Sequence, residues 1–404
     1  MSESNSIWAR AEFRSYLGST AFTGIAFAMQ QLLLSWILIG ILELPATQVG
    51  LIQAVTGVPG IFLMLLGGAK ADGRDPRTML IQIYSIAPLL PLLLIALINV
   101  SQLNIWSVII WGLGMSVVIS YSSPAQQALL NRTAGTAVQK AVSATTAIGF
   151  LVQMLGLCVA GTMDQLGLMP VLTIQALCLG FGAVAMRRLK PQPPAVPASS
   201  DPAWKLIAAG LKAAYQNKVI FQVLSINFVS SIFNAGAFMT VFPFIIKRIY
   251  AGDAFLLSLM MIIFYGGAAA SNFFMIRLMP IMRPGKIFLL MQLSRMAVLG
   301  LMWIQPSFPL MALATIGWGL NMGVTMTLAR SIVQESASEE YRGRIMSVYS
   351  LGLLGSAPIG ALVLGWIIES FGTLNALLPA MVLSVALFLY GVLFTDVYGY
   401  RSPH

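Results

Sequence analysis

The chain has 404 residues, of which 58% are hydrophobic and only 9% charged, with a formal net charge of +10. A soluble domain averages roughly 25% charged residues, so this composition leaves too little polar surface for a soluble fold, whereas lipid tails face apolar side chains directly. The basic excess would suit a nucleic-acid partner, but the placement of the charges described below excludes that reading.

A spanning helix needs roughly 20 mostly apolar residues, and twelve such runs are predicted. The first, 15–42, is too long for a signal peptide and has no small-residue cleavage site, so it is expected to be retained. Thr20, Gly24, Gln31 and Ser35 share one of its faces, flanked by Thr23 and Gln30. The second run covers 46–68 and leads into Gly67-Gly-Ala-Lys-Ala-Asp-Gly-Arg-Asp-Pro-Arg-Thr78, whose glycines suit a tight turn. There Asp72 is placed to accept amides at a neighbouring helix N-terminus, and Arg74 and Arg77 to pair with carboxylates or helix C-termini. Gly68, Asp72, Arg74 and Arg77 are therefore a candidate conformational latch, with a plain basic turn as the alternative.

Runs 77–99, 104–125, 142–163 and 166–186 complete a first set of six. Cys158 and Cys178 fall inside the last two and need no disulfide; packing accounts for them. Residues 187–218 form a proline-rich cytoplasmic linker whose part from Ala203 to Tyr215 suits an amphipathic surface helix. The second set is 219–246, 253–276, 285–304, 307–328, 345–368 and 373–395. In the seventh run Asn227, Ser230, Ser231 and Asn234 form an i, i+3, i+4, i+7 stripe. Arg295 lies in the middle of the ninth, where an ionised side chain is functional or paired. Trp318, Asn321 and Met322 share the tenth.

The two sets are related. Gly156-Leu-Cys-Val-Ala-Gly161 repeats as Gly360-Ala-Leu-Val-Leu-Gly365 at an offset of 204, with Ser143 on Ser347 and Lys140 on Arg344, and each helix ends at a glycine turn, Gly167 or Gly372. The expected fold is an all-α membrane protein of twelve transmembrane helices in two pseudo-symmetric six-helix bundles, 1–186 and 219–404. With both termini in the cytoplasm, all Lys and Arg except Lys247, Arg248 and Arg295 lie at cytoplasmic segments or helix edges, 20 of 23, as the positive-inside rule requires.

The loop at 67–78 resembles the signature cytoplasmic loop of the major facilitator superfamily, with Gly73 where that family has a basic residue and Asp75 where it has glycine. Phe13-Arg14, Gln30-Gln31 with Leu34-Ser-Trp36, Pro124-Ala-Gln-Gln-Ala-Leu-Leu130, Arg342-Gly-Arg344 and Pro358-Ile-Gly360 resemble the exporter branch that includes the enterobactin exporter. The resemblance implies alternating access and efflux of a small amphipathic or anionic molecule (siderophore, drug or metabolite) from a bacterial inner membrane, with helices one and seven lining the path. Gln30, Gln31, Asn227, Ser231, Asn234, Arg295 and Asn321 are the candidate substrate-binding residues. Proton antiport is the family default, yet the fourth run carries no Arg in Ile110-Trp-Gly-Leu-Gly114, and the fifth has Gly156-Leu157 in place of a Gly-Pro step. With no central acid, a proton carrier would be an edge carboxylate: Glu43, Asp164, Asp253 or Glu369 outside, Asp72, Asp75, Glu335, Glu339 or Glu340 inside, or else the substrate itself. No Walker A pattern, metal-ligand spacing or nucleophile–base set is present, so no cofactor, no metal and no enzymatic activity are expected. The expected partners are a small-molecule substrate and the lipid bilayer, and the expected state is a monomer. Import, lipid flipping, or a non-transporting scaffold or sensor on the same fold are the alternatives.

Overall fold

The computed structural model describes residues 10–73, 75–134, 138–191, 203–278, 281–338 and 341–402. Among them twelve helices are long and apolar enough to cross a membrane. These are α1 Ala11–Ile41, α2 Ala46–Gly73, α3 Pro76–Asn99, α4 Ile105–Ala134, α5 Val138–Gly161, α6 Leu168–Arg187, α7 Lys218–Ile249, α8 Ala254–Leu278, α9 Pro284–Trp303, α10 Phe308–Ser336, α11 Arg342–Phe371 and α12 Leu374–Phe394. No strand occurs among the described residues. The hydrocarbon core leaves backbone amides no water to bond, so spanning segments must satisfy them internally, as helices do.

The segment expected as a glycine turn at 67–78 is instead mostly helix. α2 continues through Gly73, and α3 starts at Pro76 with Asp75 as its cap, whose Oδ1 accepts from the Arg77 amide at 2.9 Å. Proline at the first helical position gives up only an amide that would be unbonded anyway, so Asp75-Pro76 makes a sharper boundary than the glycines do. α3 breaks at Ala87-Pro88 into Pro76–Ile86 and Leu89–Asn99, because Pro88 has no amide to donate and its ring crowds the preceding turn. The C-terminal parts of α1 and α7 widen into π-helical segments at Ile37–Ile41, Ala237–Val241 and Ile245–Ile249. The surface helix expected from Ala203 to Tyr215 spans Ala203–Gln216.

The chain forms two compact units. Unit 1 comprises 1–42, 55–203 and 253–259; unit 2 comprises 43–54, 204–252 and 260–404. In unit 1, Phe13, Tyr16, Leu80, Tyr84, Leu129 and Met186 share a core. In unit 2, Phe288, Leu289, Ile332, Val333, Ile345 and Val397 belong to its counterpart. The repeated glycines let helices meet at backbone distance, as small residues do in membranes. A Cβ on Gly156 of α5 would stand 2.5 Å from the Ile25 carbonyl oxygen of α1, and one on Gly360 of α11 would stand 2.8 Å from Cα of Gly236 on α7. The turns after α5 and α11 carry Gly167 at φ 91° and Gly372 at φ 92°, the left-handed region that glycine enters without steric penalty.

Candidate functional site

In unit 1 the polar positions of α1 divide between two neighbours. Ser19 Oγ donates to the Gly182 carbonyl of α6 at 2.8 Å, and Thr23 Oγ1 donates to Ser19 O at 2.9 Å. Gln30 Oε1 accepts from Gln175 Nε2 of α6 at 3.0 Å, and the same amide reaches Ala26 O at 3.1 Å. Gln175 is wholly buried, so this pair is an interhelical bond inside the unit. Gln31 is half-buried and its Oε1 accepts from Gln153 Nε2 of α5 at 3.0 Å. Deeper in the unit, Gln126 Nε2 donates to the Tyr84 hydroxyl at 2.6 Å while Tyr16 donates to the Gln126 carbonyl at 3.2 Å.

In unit 2, Arg295 is 3% exposed and ties three helices together. Its Nε donates to Asn321 Oδ1 of α10 at 3.1 Å, its Nη1 to Ser230 Oγ of α7 and to Gln292 Oε1 at 3.2 Å, and its Nη2 to Thr325 Oγ1 at 3.5 Å. Asn321 Nδ2 in turn donates to Met291 O at 2.6 Å and to Ser294 Oγ at 2.7 Å. Every acceptor of the guanidinium is neutral. The fork is thus held by side chains of its own unit, and the charge is left without a counterion among its hydrogen-bond partners.

The stripe on α7 is graded in exposure. Asn227 and Ser230 are buried, while Ser231 and Asn234 are half-buried. Asn234 Oδ1 accepts from the Trp318 indole at 2.6 Å. Trp318 stands edge-on to Phe238, Phe242 and Phe264, with centroids 5.7, 5.6 and 5.3 Å away, and Tyr265 is edge-on to Phe264 at 5.5 Å. An amide therefore sits at the margin of an aromatic wall. The structure brings Arg295 and Asn321 together; Gln30 and Gln31, adjacent in sequence, point to different helices.

Of the candidate latch, Arg77 Nη2 donates to the Arg187 carbonyl at the end of α6, 2.9 Å away. Gly68 and Asp72 lie in the last turns of α2; their side-chain surroundings, and Arg74 altogether, lie outside the described residues. Of the glutamines that partner the stripes, Gln126 stood only inside the Pro124–Leu130 motif with no role of its own, and Gln153, Gln175 and Gln292 were not singled out from sequence. The signal was available: a primary amide inside an apolar run must find a partner.

A family profile described as transmembrane secretion effector matches residues 6–397. No curated protein matches the sequence. Among solved structures, the chain is similar to the nucleoside transporter NupG at 15% identity and TM-score 0.74, covering 96% of this chain and 99% of that one. It is similar to a POT family transporter in complex with 5-aminolevulinic acid at 11% identity and TM-score 0.74, covering 96% of each chain. A bacterial homologue of the human lysosomal transporter Spinster, in an inward-facing and unoccupied conformation, matches at 12% identity and TM-score 0.67, again over 96% of each. At these identities the likeness is one of fold.

Proposed function

The chain belongs to the transmembrane secretion effector family of major facilitator transporters, and from that premise we propose that it exports a small amphipathic or anionic molecule across a bacterial inner membrane by alternating access. The observation that carries this reading is the half-buried polar margin of α7, Ser231 and Asn234, beside the Trp318 aromatic wall. Hydroxyl and amide groups left partly exposed on a membrane-spanning helix need a hydrated or substrate-facing surface. Gln31 with Gln153 offers the same chemistry on unit 1. Substrate contact is assigned to the half-buried Gln31, Ser231 and Asn234, while Asn227 is buried behind them. Gln30, Arg295 and Asn321 act from behind, holding α1 and α7 in place.

Arg295 also supports the sign of the substrate. A buried cation with no bonded carboxylate leaves unit 2 with an unbalanced positive field, which favours an anionic group and disfavours a cation. A siderophore fits that chemistry, as do acidic metabolites. The distribution of Lys and Arg supports cytoplasmic termini, which puts Glu43, Asp164, Asp253 and Glu369 on the outer side. The test is transport in reconstituted vesicles, using a panel of anionic, neutral and cationic amphiphiles, with and without a pH gradient. Efflux restricted to anionic or neutral compounds is expected. A protein that moves none of them and shows no change in sidedness of cysteine labelling would overturn the reading.

A further inference from the structure

The first amides of a helix have no partner within it and carry the positive end of the helix dipole. α2 begins directly after Pro45, a residue with no side-chain acceptor. In unit 2 the acceptor comes instead from the far end of α11: Glu369 Oε2 takes the Ala46 amide at 3.0 Å. α8 has its own cap, Asp253, whose Oδ1 accepts from Leu256 N at 2.8 Å. In unit 1 a second carboxylate joins it: Asp164, just after α5, takes the Ala254 amide on Oδ2 at 2.7 Å and the Trp36 indole on Oδ1 at 3.2 Å.

The two arrangements share one plan. Each acid follows the second glycine of the repeated pair by three or four residues, Asp164 after Gly161 just past the end of α5 and Glu369 after Gly365 within the last turns of α11. Both glycines mark a close seam with the helix that the acid caps. In unit 1 a Cβ on Gly161 would stand 2.6 Å from Ser258 Oγ, and Ser258 donates to the Leu157 carbonyl at 2.7 Å. In unit 2 a Cβ on Gly365 would stand 2.6 Å from the Ala46 carbonyl oxygen. There Gln53 adds two bonds, accepting from Thr240 Oγ1 at 2.6 Å and donating to Met239 O at 3.1 Å. Small residues give each seam contact but little directed attraction, and the charge-assisted bond to the helix N-terminus supplies it.

We propose that Asp164 and Glu369 are positioning residues of the transport cycle: a matched pair of outer clasps that grip the first turns of α8 and α2, and whose release frees both helix ends together. The proposal rests on the transporter reading above. Because the grip depends on negative charge, neutralising either acid weakens it while keeping the shape. The charged groups around the pair set the background. Asp253 competes with Asp164 for one helix end, whereas Arg248, with Nη2 3.9 Å from Glu369, holds that acid. Lys247 adjoins Arg248, and Glu43 lies in the turn before α2.

The test uses the full-length protein in right-side-out membrane vesicles, with Cys158 and Cys178 replaced by alanine. One buried reporter is introduced at a time, Leu257→Cys in unit 1 or Val49→Cys in unit 2, both fully buried in the structure. Labelling by a membrane-impermeant maleimide is timed. With Asp164→Asn, labelling should accelerate about tenfold at both reporters, the size of about 1.4 kcal/mol, and Glu369→Gln should do the same. Asp164→Glu, which keeps the charge, should restore slow labelling. A cap of local importance alone would expose only the reporter in its own unit, and that result, or unchanged labelling, overturns the proposal. Should Asp164→Asn fail to accumulate, Glu369→Gln read at Leu257→Cys asks the same crossed question. Labelling needs no substrate, so the two ideas fail separately. Crossed opening in a protein that moves no compound would sink the transporter reading alone, and transport without crossed opening would sink the clasps alone.

Discussion

Arg295 illustrates how a single residue changes meaning between sequence and structure. A lone arginine in an apolar run signals function or pairing, and a substrate anion is one way to satisfy it. Its guanidinium is instead bonded by Asn321, Ser230, Gln292 and Thr325, all neutral and all in unit 2. Removing the fork strands several buried acceptors, each worth about 1–3 kcal/mol if left unbonded. Arg295→Gln is therefore expected to lower unfolding stability by about 2–3 kcal/mol, read as a drop in the melting temperature of the purified protein. Whatever transport remains per folded molecule should keep its affinity for neutral substrates and lose part of its preference for anionic ones, because the positive field goes with the charge. Abolished transport in a protein of unchanged stability would return Arg295 to the substrate. None of this partnering was legible beforehand: helical spacing assigns Ser230 and Asn234 to one face of α7, but which neighbour that face meets depends on α9 and α10, far away in the chain. Gln30 and Gln31 make the same point, since adjacent residues on a helix point about 100° apart and so meet different helices.

At the scale of elements, most of the fold was written in hydropathy, because the thickness of the bilayer fixes how long an apolar run must be. The failures are equally physical. Glycines suggested a turn at 67–78, yet α2 continues as a helix through Gly73, and the boundary is made by Asp75-Pro76, which starts the next one. The π-helical stretches of α1 and α7 have no composition of their own. The glycine repeat, by contrast, was legible as a repeat and only the structure shows its use. Gly156 and Gly360 bring α5 onto α1 and α11 onto α7, while Gly161 and Gly365 form the seams with α8 and α2. Two glycines of α11 allow a matched comparison. Gly360→Ala would drive a methyl into Gly236 and the Ile232 carbonyl, where overpacking costs typically about 1–3 kcal/mol. Gly352→Ala would meet only Phe228 at an ordinary 3.5 Å, and alanine's helix propensity should leave it neutral or stabilised by up to about 1 kcal/mol. Thermal unfolding of the two variants in one detergent checks the pair; equal losses would mean that the α7–α11 approach is not tight.

At the scale of the molecule, a duplicated chain can duplicate its controls. Asp164 and Glu369 stand in different units, and the helices they hold, α8 and α2, each divide between the units. If both acids bias one equilibrium between a clasped and a released state, their effects are free energies on the same quantity and should add, as independent distant sites do. Two tenfold changes then multiply. The double variant Asp164→Asn with Glu369→Gln is expected to label about a hundredfold faster than the parent at either reporter, provided the clasped state still dominates. Independent local caps give a different pattern: each reporter would respond to its own acid, and the double variant would label no faster than the relevant single. A double variant that labels much faster than the product would point to a third state in which one clasp is already open, so that the first release prepares the second. The rate measured at Leu257→Cys and Val49→Cys in the four backgrounds separates these cases. It does so without knowledge of the substrate, because the quantity read is the population of the released state itself.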